Sequence, residues 1–122
     1  HAVGRCRVHE LAATEALLAV ALEAAREAGG RRIGAIDVVV GELTSIVDDS
    51  VAFYFEILSR DTPAAGAQLR FRREPAVGRC QACGAEFPVT PPLVRWCPKC
   101  ESADLRVEGG RAFYISSIEV DG

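Results

Sequence analysis

Two short turns, Cys80-Gln81-Ala82-Cys83 and Cys97-Pro98-Lys99-Cys100, each carry a pair of thiols, with 13 residues between the pairs. A Cys-x-x-Cys turn presents two thiolates to one ion. A second such turn completes a tetrahedron, the geometry Zn²⁺ accepts from four cysteines. Gly84 follows the first turn and Pro98 lies inside the second. Turn-forming residues there let backbone N–H groups reach the sulfurs and spread their charge. Cys80, Cys83, Cys97 and Cys100 are therefore read as ligands of one zinc ion. With four protein ligands and no fifth donor, no position is open to substrate, so the ion is structural and not catalytic. Two other chemistries share the pattern. One is a pair of disulfides, which needs an oxidising compartment. The other is an iron centre held by four thiolates, since iron also takes tetrahedral sulfur.

The second candidate is Val8-His9-Glu10-Leu11. By residue type alone, a histidine at a helix start is a solvated surface residue, and a glutamate in a first helical turn is explained by the helix dipole. Imidazole is also the commonest side-chain ligand for nickel, copper or zinc. His9 is one of only two histidines, the other being His1. Asp48 and Asp49 are read as helix caps, with approach to a metal site at His9 as the second reading. No Ser/His/Asp arrangement, open metal site or Gly-rich phosphate loop is visible, so no enzyme activity is expected.

The elements that must position these residues follow from periodicity. Val8 to Ala28 reads as an amphipathic helix, with Leu11, Leu18, Leu22 and Ala25 on one stripe and Leu17, Ala21 and Ala24 beside it. Gly29-Gly30 stops it. Ile33 to Val40 alternates as a strand with one buried face. A second helix runs from Asp48 or Asp49 to about Ser59, its apolar face made of Val51, Tyr54, Phe55 and Leu58 and widened by Phe53 and Ile57. Gln68 to Glu74 reads as a strand with Leu69 and Phe71 inward and the arginines mostly outward. Residues 75–110 are rich in Pro, Gly and Cys and poor in periodic apolar pattern. Ala112 to Val120 is a last strand, pairing with Ile33–Val40. Its apolar parity switches across Ser116-Ser117, where a bulge is expected. The fold class is α+β: a small mixed sheet of about three strands with two helices, plus an inserted Cys₄ zinc-ribbon domain. The domains are 1–74 with 111–122, and the ribbon at 75–110.

Composition narrows the function classes. The apolar (49%) and charged (25%) fractions match an ordinary soluble globular chain, and the net charge of −3 offers no basic surplus for nucleic acid or anionic membrane. No apolar run reaches the length of a membrane span, and HAVGRCRVHE does not read as a signal peptide. The cysteine count is odd: four are used by the turns and Cys6 is left over. That disfavours a disulfide framework and fits a reducing cytoplasm. Arg70, Arg72, Arg73 and Arg79 form one local basic strip, which keeps a zinc-ribbon protein- or nucleic-acid-binding module as the alternative.

Five segments, in this order and spacing, resemble one known family. They are His9-Glu10-Leu11 opening a long helix, Val38-Val39-Val40-Gly41-Glu42-Leu43 followed by Phe53-Tyr54-Phe55-Glu56, Gly66-Ala67-Gln68-Leu69, the two Cys turns, and Tyr114-Ile115-Ser116-Ser117-Ile118. Together they resemble the HypA family, the nickel metallochaperones of [NiFe]-hydrogenase maturation, over residues 8–120. The resemblance implies Ni²⁺ bound through His9 and nearby backbone nitrogen, with Glu10 supporting the site, and a structural zinc at the four cysteines. It also implies a cytoplasmic carrier working with a HypB-family GTPase and delivering nickel to the [NiFe]-hydrogenase large subunit, as a monomer or weak homodimer. A carrier must release its ion, and an imidazole with backbone nitrogens near a terminus suits Ni²⁺ better than a closed thiolate shell.

Two features depart from the family pattern. The family's His follows the initiator methionine, whereas here Val8 precedes His9 and seven residues lie upstream. We expect Val8 to mark the start, because a GTG codon gives valine internally and methionine at initiation. Cys6-x-x-His9 is an alternative metal pair, with Cys6 as a bystander the simpler reading. Glu101 stands after the second Cys turn where zinc ribbons often carry glycine.

Overall fold

The computed structural model describes residues 2–89 and 95–121, with side chains from Glu10 onward. Helix α1 spans Ala2–Glu27, strand β1 Ile33–Gly41 and helix α2 Asp48–Leu58. Strand β2 spans Gln68–Glu74, β3 Ala76–Cys80, β4 Glu86–Val89, β5 Leu105–Glu108 and β6 Phe113–Val120. Two three-stranded sheets result, in the orders β2-β1-β6 and β4-β3-β5. The chain divides into two compact units: 1–39 with 45–72 and 114–122, and 40–44 with 73–113.

In the first unit α1 packs on α2. Leu17, Leu18, Ala21 and Ala25 are buried along the α1 stripe, and Thr14 is fully buried among them. The Thr14 hydroxyl can be buried because it donates to the Glu10 carbonyl one turn earlier, at 2.6 Å. The helix ends as expected at Gly29-Gly30, where the Gly30 N–H reaches the Ala25 carbonyl at 2.8 Å. Its start lies upstream of the expected Val8, so Glu10 is not in a first turn.

β1 is the central strand, and that changes its burial. Ile36, Val38 and Val40 are buried as the alternation requires, but so are Ile33, Ala35 and Val39 on the other face. Only Gly34 and Asp37 are half-buried. A strand covered on both sides reads as a continuous apolar run rather than an alternating one. Its neighbours run in opposite senses. The Asp121 N–H bonds the Arg32 carbonyl and the Gly41 N–H bonds the Ala112 carbonyl, which makes β6 antiparallel to β1. On the other side Arg70 meets Asp37, while the Glu42 N–H meets the Glu74 carbonyl. Both strands advance together, so β2 is parallel and α2 is the crossover. The sheet is mixed.

The parity switch in β6 is real: alternation breaks between Ser116 and Ser117, both exposed. Both hydroxyls then reach Asp37, Ser117 donating to its carboxylate at 2.5 Å and Ser116 to its main-chain carbonyl at 3.3 Å.

Two expectations for α2 are corrected. Its N-cap is Val47, with no side-chain cap, and Asp48 and Asp49 fall in the first helical turn instead. Phe53 and Ile57 do not widen the buried face, which centres on Val51 and Phe55; they are exposed.

The second unit contains strands that periodicity did not reveal. β3 alternates buried and exposed, with Ala76, Gly78 and Cys80 turned inward. Gly78 lies opposite Phe87 of β4, and an added Cβ would stand 2.5 Å from that ring. The large side chain comes from the neighbour, so the strand itself shows small residues and a cysteine where a search expects valine or isoleucine. β4 and β5 both pair antiparallel with β3.

Candidate metal centre

β3 ends on Cys80, so the first Cys turn caps a strand of the small sheet. The two turns are built alike. The Cys80 N–H donates to the Ala85 carbonyl at 2.9 Å, and the Gly84 N–H to the Cys80 carbonyl at 2.9 Å. In the second turn the Cys97 N–H donates to the Ser102 carbonyl at 2.8 Å, and the Glu101 N–H to the Cys97 carbonyl at 2.9 Å. Each loop thus folds its two thiols to one side. The Gln81 N–H, bonded to the Asp104 carbonyl at 2.9 Å, ties the first turn to the segment after the second.

The result brings all four sequence-predicted thiols together. Their sulfurs lie within 4.8 Å of one another. Cys80 and Cys100 are 3.5 Å apart and Cys83 and Cys97 3.7 Å, each pair crossing from one turn to the other. A tetrahedron with Zn–S distances of about 2.3 Å places its sulfurs about 3.8 Å apart. The cysteines are free thiols and not disulfides. Cys80 and Cys97 are buried while Cys83 and Cys100 are exposed.

Backbone dipoles prepare the sulfurs for charge. The Cys83 N–H points at the Cys80 sulfur at 3.4 Å. The Lys99 and Cys100 N–H groups point at the Cys97 sulfur at 3.3 and 3.5 Å. The Cys83 amide, with that of Ala82, holds the Cys80 thiol below its ordinary value against the effect of burial. The Cys100 amide, with Lys99, brings Cys97 down to about 6. For Cys100 the Ser102 amide acts downward, but the Cys80 sulfur, burial and the two remaining sulfurs outweigh it and push the thiol up to about 12. Protein dipoles alone stabilise some thiolates but not all four, so a dication fits the donor set.

One strained residue marks the site. Gly84 has φ +78° and Glu101, its counterpart in the second turn, has φ +65°. Left-handed backbone costs a side-chain-bearing residue about 1–2 kcal/mol. The glutamate is therefore a backbone departure more than a charge departure.

A scan against family models matches residues 8–120 to the family described as hydrogenase/urease nickel incorporation, metallochaperone, hypA. The chain belongs to the HypA family. A hydrogenase maturation factor HypA from Dehalococcoides mccartyi is 46% identical over 114 residues, covering 93% of this chain and 95% of the relative. Another from Chlorobaculum parvum is 35% identical, covering 93% and 100%. Among solved structures, the solution structure of the Ni metallochaperone HypA from Helicobacter pylori is similar with a TM-score of 0.62. It is 21% identical and covers 91% of this chain and 96% of that one. A second HypA solution structure is similar with a TM-score of 0.66 at 22% identity, covering 93% and 96%.

Of the candidate residues near the N-terminus, the side chains of His9 and Cys6 lie outside those described. Glu10 is 3% exposed. Its carboxylate accepts the Val47 main-chain N–H at 2.5 Å, just ahead of α2. Sequence reasoning missed this partner because a main-chain donor carries no side-chain signature.

The arginine strip is largely neutralised. Arg70 meets Asp37 at 2.8 Å and Glu119 at 2.5 Å, Arg73 meets Glu42 at 3.5 Å, and Arg79 meets Glu86 at 2.6 Å. Paired guanidiniums offer little to phosphate, which weakens the nucleic-acid reading. No described helix is long and apolar enough to cross a membrane.

Proposed function

We propose that this chain is a nickel carrier of [NiFe]-hydrogenase maturation, holding Ni²⁺ at His9 with Glu10 supporting the site. Zinc at Cys80, Cys83, Cys97 and Cys100 stabilises the ribbon. The observation that carries the reading is the closed sulfur cluster: four thiols within 4.8 Å fill a tetrahedron and leave nowhere for a transient ion. Among the described residues it is the sole group of three or more side chains disposed to hold a metal. Transit metal must therefore bind elsewhere, and the family motif directs it to His9.

Glu10 supports that site by position. Its carboxylate is engaged by Val47, which fixes the α1 turn beside His9 against the start of α2. Metal exchange at His9 then leaves the sulfur cluster intact. The protein acts as a carrier and not an enzyme, in the cytoplasm, where thiols stay reduced. Its partners are a HypB-family GTPase and the hydrogenase large subunit.

The test is metal content followed by Ni²⁺ titration. Zinc should co-purify at one ion per chain. His9→Ala should abolish nickel binding and leave fold and zinc unchanged. Iron in place of zinc, or nickel binding that survives His9→Ala, would overturn the assignment.

A further inference from the structure

Helix α2 buries Val51 and Phe55 and turns the opposite ridge outward. Asp49, Phe53 and Ile57 follow one another at four-residue steps and so stand in one line along the helix. Phe53 is 59% exposed, more than any other large apolar side chain among the described residues, and Ile57 is 42% exposed. Tyr54 sets its ring against Phe53 edge to face, with centroids 5.6 Å apart. Asp49, Ser50, Phe53 and Tyr54 line a shallow hollow at the head of the ridge. The four-thiol cluster uses none of these residues, and Phe53 and Ile57 carry no metal-ligating atom.

Charge indicates what covers them. Between residues 48 and 61 stand Asp48, Asp49, Glu56 and Asp61 against Arg60 alone, a local balance of −3 that equals the net charge of the whole chain. Asp49 begins the apolar line and Glu56 lies beside it, three residues after Phe53. An acidic rim repels phosphate, so neither an anionic membrane nor a nucleic acid suits this face. A ring already held by a neighbouring ring loses little side-chain freedom on burial, which favours it as an anchor.

We propose that the outer ridge of α2 docks a cationic amphipathic helix of a partner protein. The partner's apolar face covers Phe53 and Ile57, and its Lys or Arg side chains reach Asp49 and Glu56. The inference goes beyond nickel carriage and does not depend on it.

The zinc-loaded full chain is titrated with a synthetic amphipathic helix of leucine and lysine, and separately with one of leucine and glutamate, while backbone amide shifts are followed by NMR. The lysine peptide should shift residues 49–57 saturably and the glutamate peptide should not. Phe53→Ser with Ile57→Ser should weaken binding about tenfold or more, the scale of losing a buried anchor. Asp49→Lys with Glu56→Lys should transfer the preference to the glutamate peptide. All four side chains point away from Val51 and Phe55, so zinc content should stay at the wild-type value in both variants, and nickel affinity in the Phe53/Ile57 variant. Equal binding of the two peptides, shifts centred elsewhere, or affinity unchanged in the Phe53/Ile57 variant would overturn the proposal. So would shifts of residues 49–57 produced by anionic phospholipid vesicles alone.

Discussion

The carboxylate of Glu10 accepts the main-chain N–H of Val47 at 2.5 Å, across 37 residues of sequence. Val47 is the N-cap of α2 and has no side chain able to cap it. A helix start leaves N–H groups without partners and carries partial positive charge. Glu10, buried on a different helix, supplies an acceptor.

Glu10→Ala should therefore destabilise the first unit by about 1 kcal/mol, the net worth of one part-buried hydrogen bond. Glu10→Gln keeps an oxygen acceptor and should cost less. Thermal unfolding ranks the two variants. Nickel titration then separates support from ligation: near wild-type affinity in Glu10→Gln with a loss in Glu10→Ala supports positioning. Equal loss in both would mean the carboxylate itself binds the metal.

Glu101→Gly should strengthen the ribbon. It relieves the left-handed strain at φ +65°, partly offset by the greater freedom of glycine when unfolded, for a net gain of about 1 kcal/mol. Gly84→Ala at φ +78° should have the opposite sign. Zinc retention against a competing chelator reads both, and a loss in Glu101→Gly would contradict the backbone explanation.

Cys83→Ser should release zinc and unfold residues 75–110, while the helices of the first unit persist. Metal binding to small ribbons provides folding free energy on the order of 10 kcal/mol, and the short strands β3, β4 and β5 bury too little without it. Hydrogen exchange measures this directly; full protection of β3 amides in the zinc-free variant would refute it.

Acid should weaken the first unit through Asp37. The Arg70 guanidinium, and next the Ser117 hydroxyl, hold its carboxyl below the ordinary carboxylate value of 3.8. A depressed carboxyl stabilises the fold fully above its unfolded value, and the contribution is lost as pH falls through the lower folded value. Wild-type stability should therefore decline below about pH 4, and Asp37→Asn should flatten that decline. Denaturant midpoints across acidic pH test it; identical slopes would remove Asp37 from the account.

The sequence alone determined which four thiols converge, because Cys-x-x-Cys is a local device: each turn carries its own hydrogen bonds and needs only a second copy nearby. It also determined α1, β1, α2, β2 and β6, whose periodicity is set by the faces they bury. Tertiary structure decided the rest. The ribbon strands stayed hidden because Phe87 supplies the bulk that Gly78 lacks, so the pattern lies across two strands instead of along one. Asp37, Arg70 and Ser117 read as separate polar positions until β2 and β6 were placed on either side of β1. Phe53 looked like core because an apolar residue at helical spacing reveals a stripe but not its width. Glu10 acquired its role only when the fold brought the Val47 amide to it, since the free energy of a buried carboxyl depends on what stands next to it in space and not on what precedes it in the chain.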